Sequence, residues 1–292
     1  KSDFMKLAYD ASMFRDNTPM HETIDKVAEL GYKYLELAPR QDFFWFYQYP
    51  KANSAMIKDV RKWCSDAGIE ISSLVPVQQW SSPNEQERQA AVRNMKRTIW
   101  LASELGVDLI NTEFSGDKYN SVTSEGQWYK SMEELLPIFE KEGIRLEIQA
   151  HPNDFIESSY KAAQLIRSLN SDNVGQVLCS AHAFYSDGGK GDVRKEILDS
   201  KDVLSHVLIA DTFNYAGSYG LRYTINPPGA PVTIHQHLNP GEGEVDMDAF
   251  YSTLREINFD GIVTNNVFMW PDRVEWSNEK TLKSIKEGLH IK

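Results

Sequence analysis

Cysteine is nearly absent from this chain: Cys64 and Cys179 are the only two in 292 residues. Two thiols cannot build a disulfide scaffold, and their scarcity points to a reducing, cytoplasmic location. No apolar run approaches the roughly 20 residues of a membrane span. The first residues, Lys1-Ser2-Asp3-Phe4-Met5-Lys6, lack the apolar core of a signal peptide. Basic charge is in deficit, with 31 Lys and Arg against 42 Asp and Glu and a net charge of −11. Nucleic acid is bound through basic surfaces, so it is disfavoured as a partner. Apolar residues are not scarce: at 41% of the chain they suffice for a core. The length fits two small domains or one large α/β barrel.

Histidine is also sparse, with seven in the chain, yet two of them form His235-Gln236-His237. In an extended segment alternate side chains share a face. Both imidazoles can then meet one metal ion or one substrate. A surface strand with two solvated rings explains an isolated H-x-H equally well, so the rest of the chain must decide.

Short apolar runs alternate with amphipathic stretches. Strands are expected at Met5–Tyr9, Tyr32–Ala38, Ile69–Val75, Val107–Phe114, Ile144–Gln149, Gly175–Ser180, Val203–Ala210 and Gly261–Phe268. Between them the spacing predicts helices over Thr23–Leu30, Ala55–Asp66, Glu85–Leu105, Gly126–Glu142, Ser158–Leu169, Val193–Ser200, Met247–Ile257 and Glu279–Gly288. Gly31, Gly68, Gly106 and Gly143 stand where helices should stop. Eight such units predict an α/β fold, a single (β/α)8 TIM barrel spanning residues 1–292. A doubly wound sheet would call for a glycine-rich turn after the first strand, and Asp10-Ala11-Ser12-Met13 is not one. The connection between strands 7 and 8, Asp211 to Val245, is long enough to suggest function.

Barrel chemistry sits at the C-terminal ends of the strands. Glu36 and Arg40 follow strand 2, and Trp80 follows strand 3. Glu113 ends strand 4. Glu147 lies in strand 5, with His151 and Asp154 beyond it. Cys179 and His182 follow strand 6, His206 lies in strand 7, and Asp211, Arg222, His235 and His237 come after it. Asn265, Asn266 and Trp270 lie at strand 8. Carboxylate and imidazole donors on one rim suit Mn²⁺, Zn²⁺, Co²⁺ or Fe²⁺ better than Ca²⁺. Trp80, Trp270 and Phe43-Phe44-Trp45 offer faces for sugar rings, or simply fill gaps between loops. His206, inside a strand, reads as a packed core histidine, and Cys179 as an inert buried thiol. Gly241-Glu242-Gly243 reads as a tight turn more readily than as a phosphate site.

The strand-5 glutamate and a late loop ending in H-x-x-x-G-E-G (His237 to Gly243) resemble the sugar phosphate isomerase/epimerase superfamily of xylose isomerase-like barrels. Glu36-Leu37-Ala38-Pro39-Arg40, Ala150-His151-Pro152-Asn153-Asp154-Phe155, Gly220-Leu221-Arg222-Tyr223 and Asn226-Pro227-Pro228-Gly229 are most similar to the IolH-type proteins of inositol catabolism. The resemblance carries a ketose-epimerase metal site only in part. Of its four ligand positions Glu147 matches the first, while the others fall on Cys179, Leu208 and Asn265 or Asn266. A neighbouring metal position of the endonuclease IV branch falls on His182, His235 and His237.

The resemblance therefore implies an isomerase or epimerase acting on a keto-sugar, keto-inositol or sugar phosphate through an enediolate. The expected ligands of its divalent metal are Glu147, His182, His235 and His237. Glu113, Glu147 and Asp211 are the candidate acid–base residues, and Arg40, Trp80, His151, Arg222 and Trp270 the candidate substrate contacts. A dehydratase or lyase starting from the same enediolate, and a non-catalytic sugar-binding barrel, remain open. So does a homodimer or homotetramer.

Overall fold

The first strand, Lys6–Asp10, is buried at its C-terminal end and pairs in parallel on both sides, with strand 2 and with strand 8. That pairing closes the sheet. In the computed structural model, which describes residues 5–189, 191–213 and 235–292, eight parallel strands run in the closed order β1 to β8. They are β1 (Lys6–Asp10), β2 (Tyr34–Leu37), β3 (Glu70–Leu74), β4 (Leu109–Glu113), β5 (Arg145–Gln149), β6 (Val174–Cys179), β7 (Leu204–Ile209) and β8 (Ile262–Asn265). Each lies within a residue of the run expected from the sequence or inside it.

The helices covering the barrel are α1 (Met20–Glu29), α2 (Ser54–Ala67), α3 (Glu85–Leu105), α4 (Ser121–Glu142), α5 (Ser159–Ser168), α6 (Ser180–Gly189), α7 (Val193–Ser200), α8 (Met247–Glu256) and α9 (Val274–Leu289). Helix α3 shows the local logic. Asn84 caps its N-terminus by accepting from the Glu87 amide, Ala91, Met95 and Ile99 form its buried stripe, and Gly106 ends it in the left-handed region at φ 73°. Helix α6 was not expected: Ser180-Ala181-His182-Ala183 continues from β6 with no apolar period to announce it. Its first turn is fastened because the Ser180 hydroxyl donates to the Ala210 carbonyl at 2.6 Å and accepts from the Ala210 amide.

The barrel interior is polar near its middle. Glu36, Ser73, Asn111, Glu147, His206 and Thr264 are all buried. His206 Nδ1 lies 3.1 Å from Glu147 Oε1, and its Nε2 lies 2.8 Å from Thr264 Oγ1. His206 is therefore the packed interior histidine that its position in a strand suggested. Ser205 donates to the other oxygen of Glu147. That second oxygen also lies 3.9 Å from the Arg145 guanidinium, towards the N-terminal face of the barrel.

Candidate active site

A cavity of about 240 Å³ opens where the strands end. Asp10 and Glu36 line it from β1 and β2, Asn111 and Glu113 from β4, and Gln149 with His151 and Asp154 from β5 and its loop. His182, His237, Asn266 and Phe268 line the remaining arc, with Phe46 and Tyr47 adding aromatic surface.

Four histidines meet at one side. The rings of His151 and His182 are 4.5 Å apart, His182 and His235 4.6 Å, and His235 and His237 5.2 Å. One ligand atom each from His151, His182 and His235 lies within 4.8 Å of the others, and the same holds for Cys179, His182 and His237. His182 belongs to both groups. Its two ring nitrogens are buried. His237 Nδ1 lies 2.8 Å from the Asn266 carbonyl oxygen. A carbonyl can only accept, so Nδ1 carries the hydrogen and Nε2 keeps its lone pair. His151 Nδ1 faces the Pro152 carbonyl at 2.8 Å in the same way.

Burial holds His182, His235 and His237 neutral. It pushes His237 down to about 3, and drives His182 and His235 well below the ordinary value, with the neighbouring histidines adding to the effect. Neutral imidazole nitrogens are what a borderline divalent cation takes. Burial lifts the Cys179 thiol to about 12, so without a metal it stays protonated. The donor set therefore fits a divalent metal, with His182 at its centre.

Glu113 stands beside this cluster, its Oε2 3.8 Å from His151 Nε2, and its side chain is 22% exposed. Three amide oxygens complete the cavity. Asn111 Oδ1, Gln149 Oε1 and Asn266 Oδ1 are buried without a hydrogen-bond partner among the described residues. The amide nitrogens of Asn111 and Asn266 donate to Glu36 and Asp10, at 2.9 and 3.3 Å, which fixes which way each amide faces. Buried acceptors without donors cost about 1–3 kcal/mol each. A ligand rich in hydroxyl groups removes that cost.

Several expected site residues are engaged in contacts within the fold. Glu147 lies two residues below Gln149 on the same inward face and is engaged by His206 and Ser205, so it stands apart from the histidine cluster. Asp211 accepts amides from Thr212, Gly241 and Val245 at 2.8, 2.8 and 3.0 Å, with the Gly243 amide also facing it. A β-carbon on Gly243 would fall 2.4 Å from Asp211 Oδ1, so the Gly-Glu-Gly turn is built around that carboxylate and not around a phosphate. Those amides tie the Asp211 carboxylate into the turn. Arg40 is closed by Asp42, the Thr23 hydroxyl and the Thr18 carbonyl. Trp80 is buried and donates to the Glu113 carbonyl at 3.0 Å, so it positions β4 without reaching the cavity. Trp270 donates to Glu242 and packs edge-on against Trp276. Phe43 and Phe44 are core residues. Arg222 lies outside the described residues. The sequence places Glu36, Asn111, Gln149 and Asn266 at strand ends without giving them a role, and it passes over Asp10. Their common signal is an inward-facing polar residue at or next to the C-terminal end of a strand.

A model of the xylose isomerase-like TIM barrel family matches residues 24–286. The chain belongs to that family. Among its relatives, an inosose isomerase of Bacillus velezensis is 24% identical over 290 residues, covering 97% of this chain and 95% of its own. In structure, the family fold is shared with the IOLI protein carrying a bound zinc atom, at a TM-score of 0.76, 19% identity and 98% coverage of both chains. It is also shared with the 3-keto-D-glucoside 4-epimerase YcjR of E. coli, at a TM-score of 0.71, 16% identity, and coverage of 96% of this chain and 98% of that one.

Proposed function

We propose that this protein is a metal-assisted isomerase or epimerase of a keto-inositol, a keto-sugar or its phosphate. The observation that carries the reading is the Glu113 carboxylate, 3.8 Å from His151, in a cavity that His151, His182 and His237 line, with His235 packed against them. The inosose isomerase relative supports a keto-inositol, because an inosose is one.

A divalent cation held by His182 and His235, with His151 and His237 as the adjoining donors, would supply Lewis acidity to a substrate carbonyl. The chain's own residues do the rest. Asn111, Gln149 and Asn266 accept hydroxyl hydrogens and set the ring in place. Glu113 removes the proton α to the carbonyl, a task for which a positioned carboxylate contributes about 10²–10⁴-fold. Phe46, Tyr47 and Phe268 keep water from the enediolate.

The test is elemental analysis of the purified protein together with candidate ketoses followed by NMR in D2O. A stoichiometric divalent ion lost in His182→Ala, with deuterium entering a keto-polyol alongside a new isomer, supports the proposal. Release of water or of an aglycone instead identifies a lyase. A metal-free protein that exchanges no proton on any ketose identifies a non-catalytic barrel.

A further inference from the structure

A single buried side chain ties together the two loops that follow Glu113 and carry His151. Asp154 lies in the loop after β5, is buried and lines the cavity. Its Oδ2 accepts the Ser115 amide at 2.8 Å, and its Oδ1 accepts the Gly116 amide at 2.9 Å. Ser115 and Gly116 open the loop after β4, whose last residue is Glu113. Oδ1 also accepts the Phe155 amide at 2.7 Å, and the Asp154 amide donates to the His151 carbonyl at 3.1 Å. Asp154 thus grips the backbone next to Glu113 with its side chain and the backbone of His151 with its own amide.

The backbone at this junction is not relaxed. Ser115 has φ 53° and Asn153 φ 70°, both in the left-handed region. Asparagine enters that region readily and serine much less so, which means that contacts from outside must hold Ser115 there. The Asp154 carboxylate supplies them from the β5 side. From the β3 side, Trp80 Nε1 donates to the Glu113 carbonyl at 3.0 Å, the Ser81 hydroxyl to that of Phe114 at 2.5 Å, and the Ser81 amide to that of Ser115 at 3.3 Å. The end of β4 is therefore fastened through its carbonyls to one neighbour and through its amides to the other. The two loops also pack closely, because a β-carbon on Gly116 would fall 2.5 Å from the Phe155 ring. Between these fastenings Glu113 Oε2 stands 3.8 Å from His151 Nε2. A misplacement of about 1 Å at a reacting group can cost about 10²-fold in rate.

We propose that Asp154 is a positioning residue for proton abstraction: by holding Ser115 and Gly116 against the His151 loop, it sets where the Glu113 carboxylate stands relative to the histidine cluster. The proposal rests on the reading of the preceding section, in which Glu113 is the base. Asp154 acts through Glu113, so its removal matters only while Glu113 is present. A residue that merely stabilises the fold behaves differently, because its loss lowers the activity of wild type and of any variant alike.

The test is a double-mutant cycle with 2-keto-myo-inositol in D2O, using Asp154→Ala and Glu113→Gln alone and combined, with each rate expressed per folded, metal-loaded chain. Asp154→Ala should lower kcat and the rate of α-hydrogen exchange together by about 10²-fold and leave KM within about threefold of wild type. In the Glu113→Gln background the same substitution should change either rate by less than about threefold. Asp154→Asn keeps one carbonyl oxygen for one of the two loop amides, so its kcat should lie between wild type and Asp154→Ala, and it carries the cycle if the alanine variant does not fold. Amide hydrogen exchange read by mass spectrometry should quicken at Ser115 and Gly116 in both Asp154 variants. Wild-type turnover in these variants, an equal fall in the two backgrounds, or unchanged amide exchange at Ser115 and Gly116 overturns the proposal. A wild type that exchanges no α-hydrogen, or a Glu113→Gln variant as active as wild type, contradicts the reading of the preceding section and with it the catalytic role of the tie, while the amide exchange still decides whether Asp154 holds the two loops together.

Discussion

Truncating Asp211 to alanine separates a structural carboxylate from a catalytic one. Its oxygens hold the amides of Thr212, Gly241, Gly243 and Val245, and Asp211 also pairs through its backbone with Leu238, one residue beyond the His235–His237 segment. Removing the carboxylate leaves buried amides unpaired. The loss should be about 3–5 kcal/mol, because several buried amides lose their acceptor at about 1–3 kcal/mol each. For a chain of 292 residues, at about 2.1 cal/mol/K of unfolding entropy per residue, that lowers Tm by about 5–8 °C. Calorimetry and denaturant melts measure the stability, while activity at saturating metal and substrate measures the chemistry. The expected outcome is a large fall in Tm, weakened metal binding as the loop loosens, and a kcat within about tenfold of wild type in the folded fraction. Unchanged Tm with turnover abolished would refute the structural assignment and return Asp211 to the catalytic set.

Other outcomes follow from the same geometry. His182→Ala should remove stoichiometric metal, measured by elemental analysis, because His182 belongs to both donor groups. Burial raises Cys64 to about 11 and Cys179 to about 12, so both thiols should resist alkylation at neutral pH in the native protein and react on unfolding. Burial also lifts Asp154 to about 7, above its unfolded value. The folded state then binds the extra proton, so in metal-free protein stability should fall as pH rises from about 4 to about 7, by at most about 1.4 kcal/mol per pH unit. Asp154→Asn should flatten that slope in denaturant melts, and an unchanged slope would show that the carboxyl titrates normally.

The barrel was legible because buried parallel strands read as short apolar runs and because Gly68, Gly106 and Gly143 end their helices in the left-handed region. Helix α6 was not, since Ser180–Gly189 lacks an apolar period and follows β6 without a turn. The histidine cluster was visible through His235 and His237, whose alternation needs only local extension. Depth was not visible. Glu147 and Gln149 share an inward face, and parity along a strand cannot tell the cavity wall from the layer beneath it. Nor does a polar residue at a strand end reveal its partner. Arg40, Asp211 and Trp270 tie down loops because buried amides, carbonyls and side-chain ends need satisfying. That Asp10 and Glu36 are neighbours depends on the register of β1 against β2, which no local pattern encodes.

The claim that this cavity abstracts a proton from a keto-polyol is tested most directly by 1H NMR of metal-replete protein with 2-keto-myo-inositol in D2O, compared with Glu113→Gln. Loss of the α-proton signal together with a new isomer in wild type, both reduced by about 10²–10⁴-fold in the variant, is the predicted result. Exchange and isomer formation at equal rates in the two proteins would contradict it.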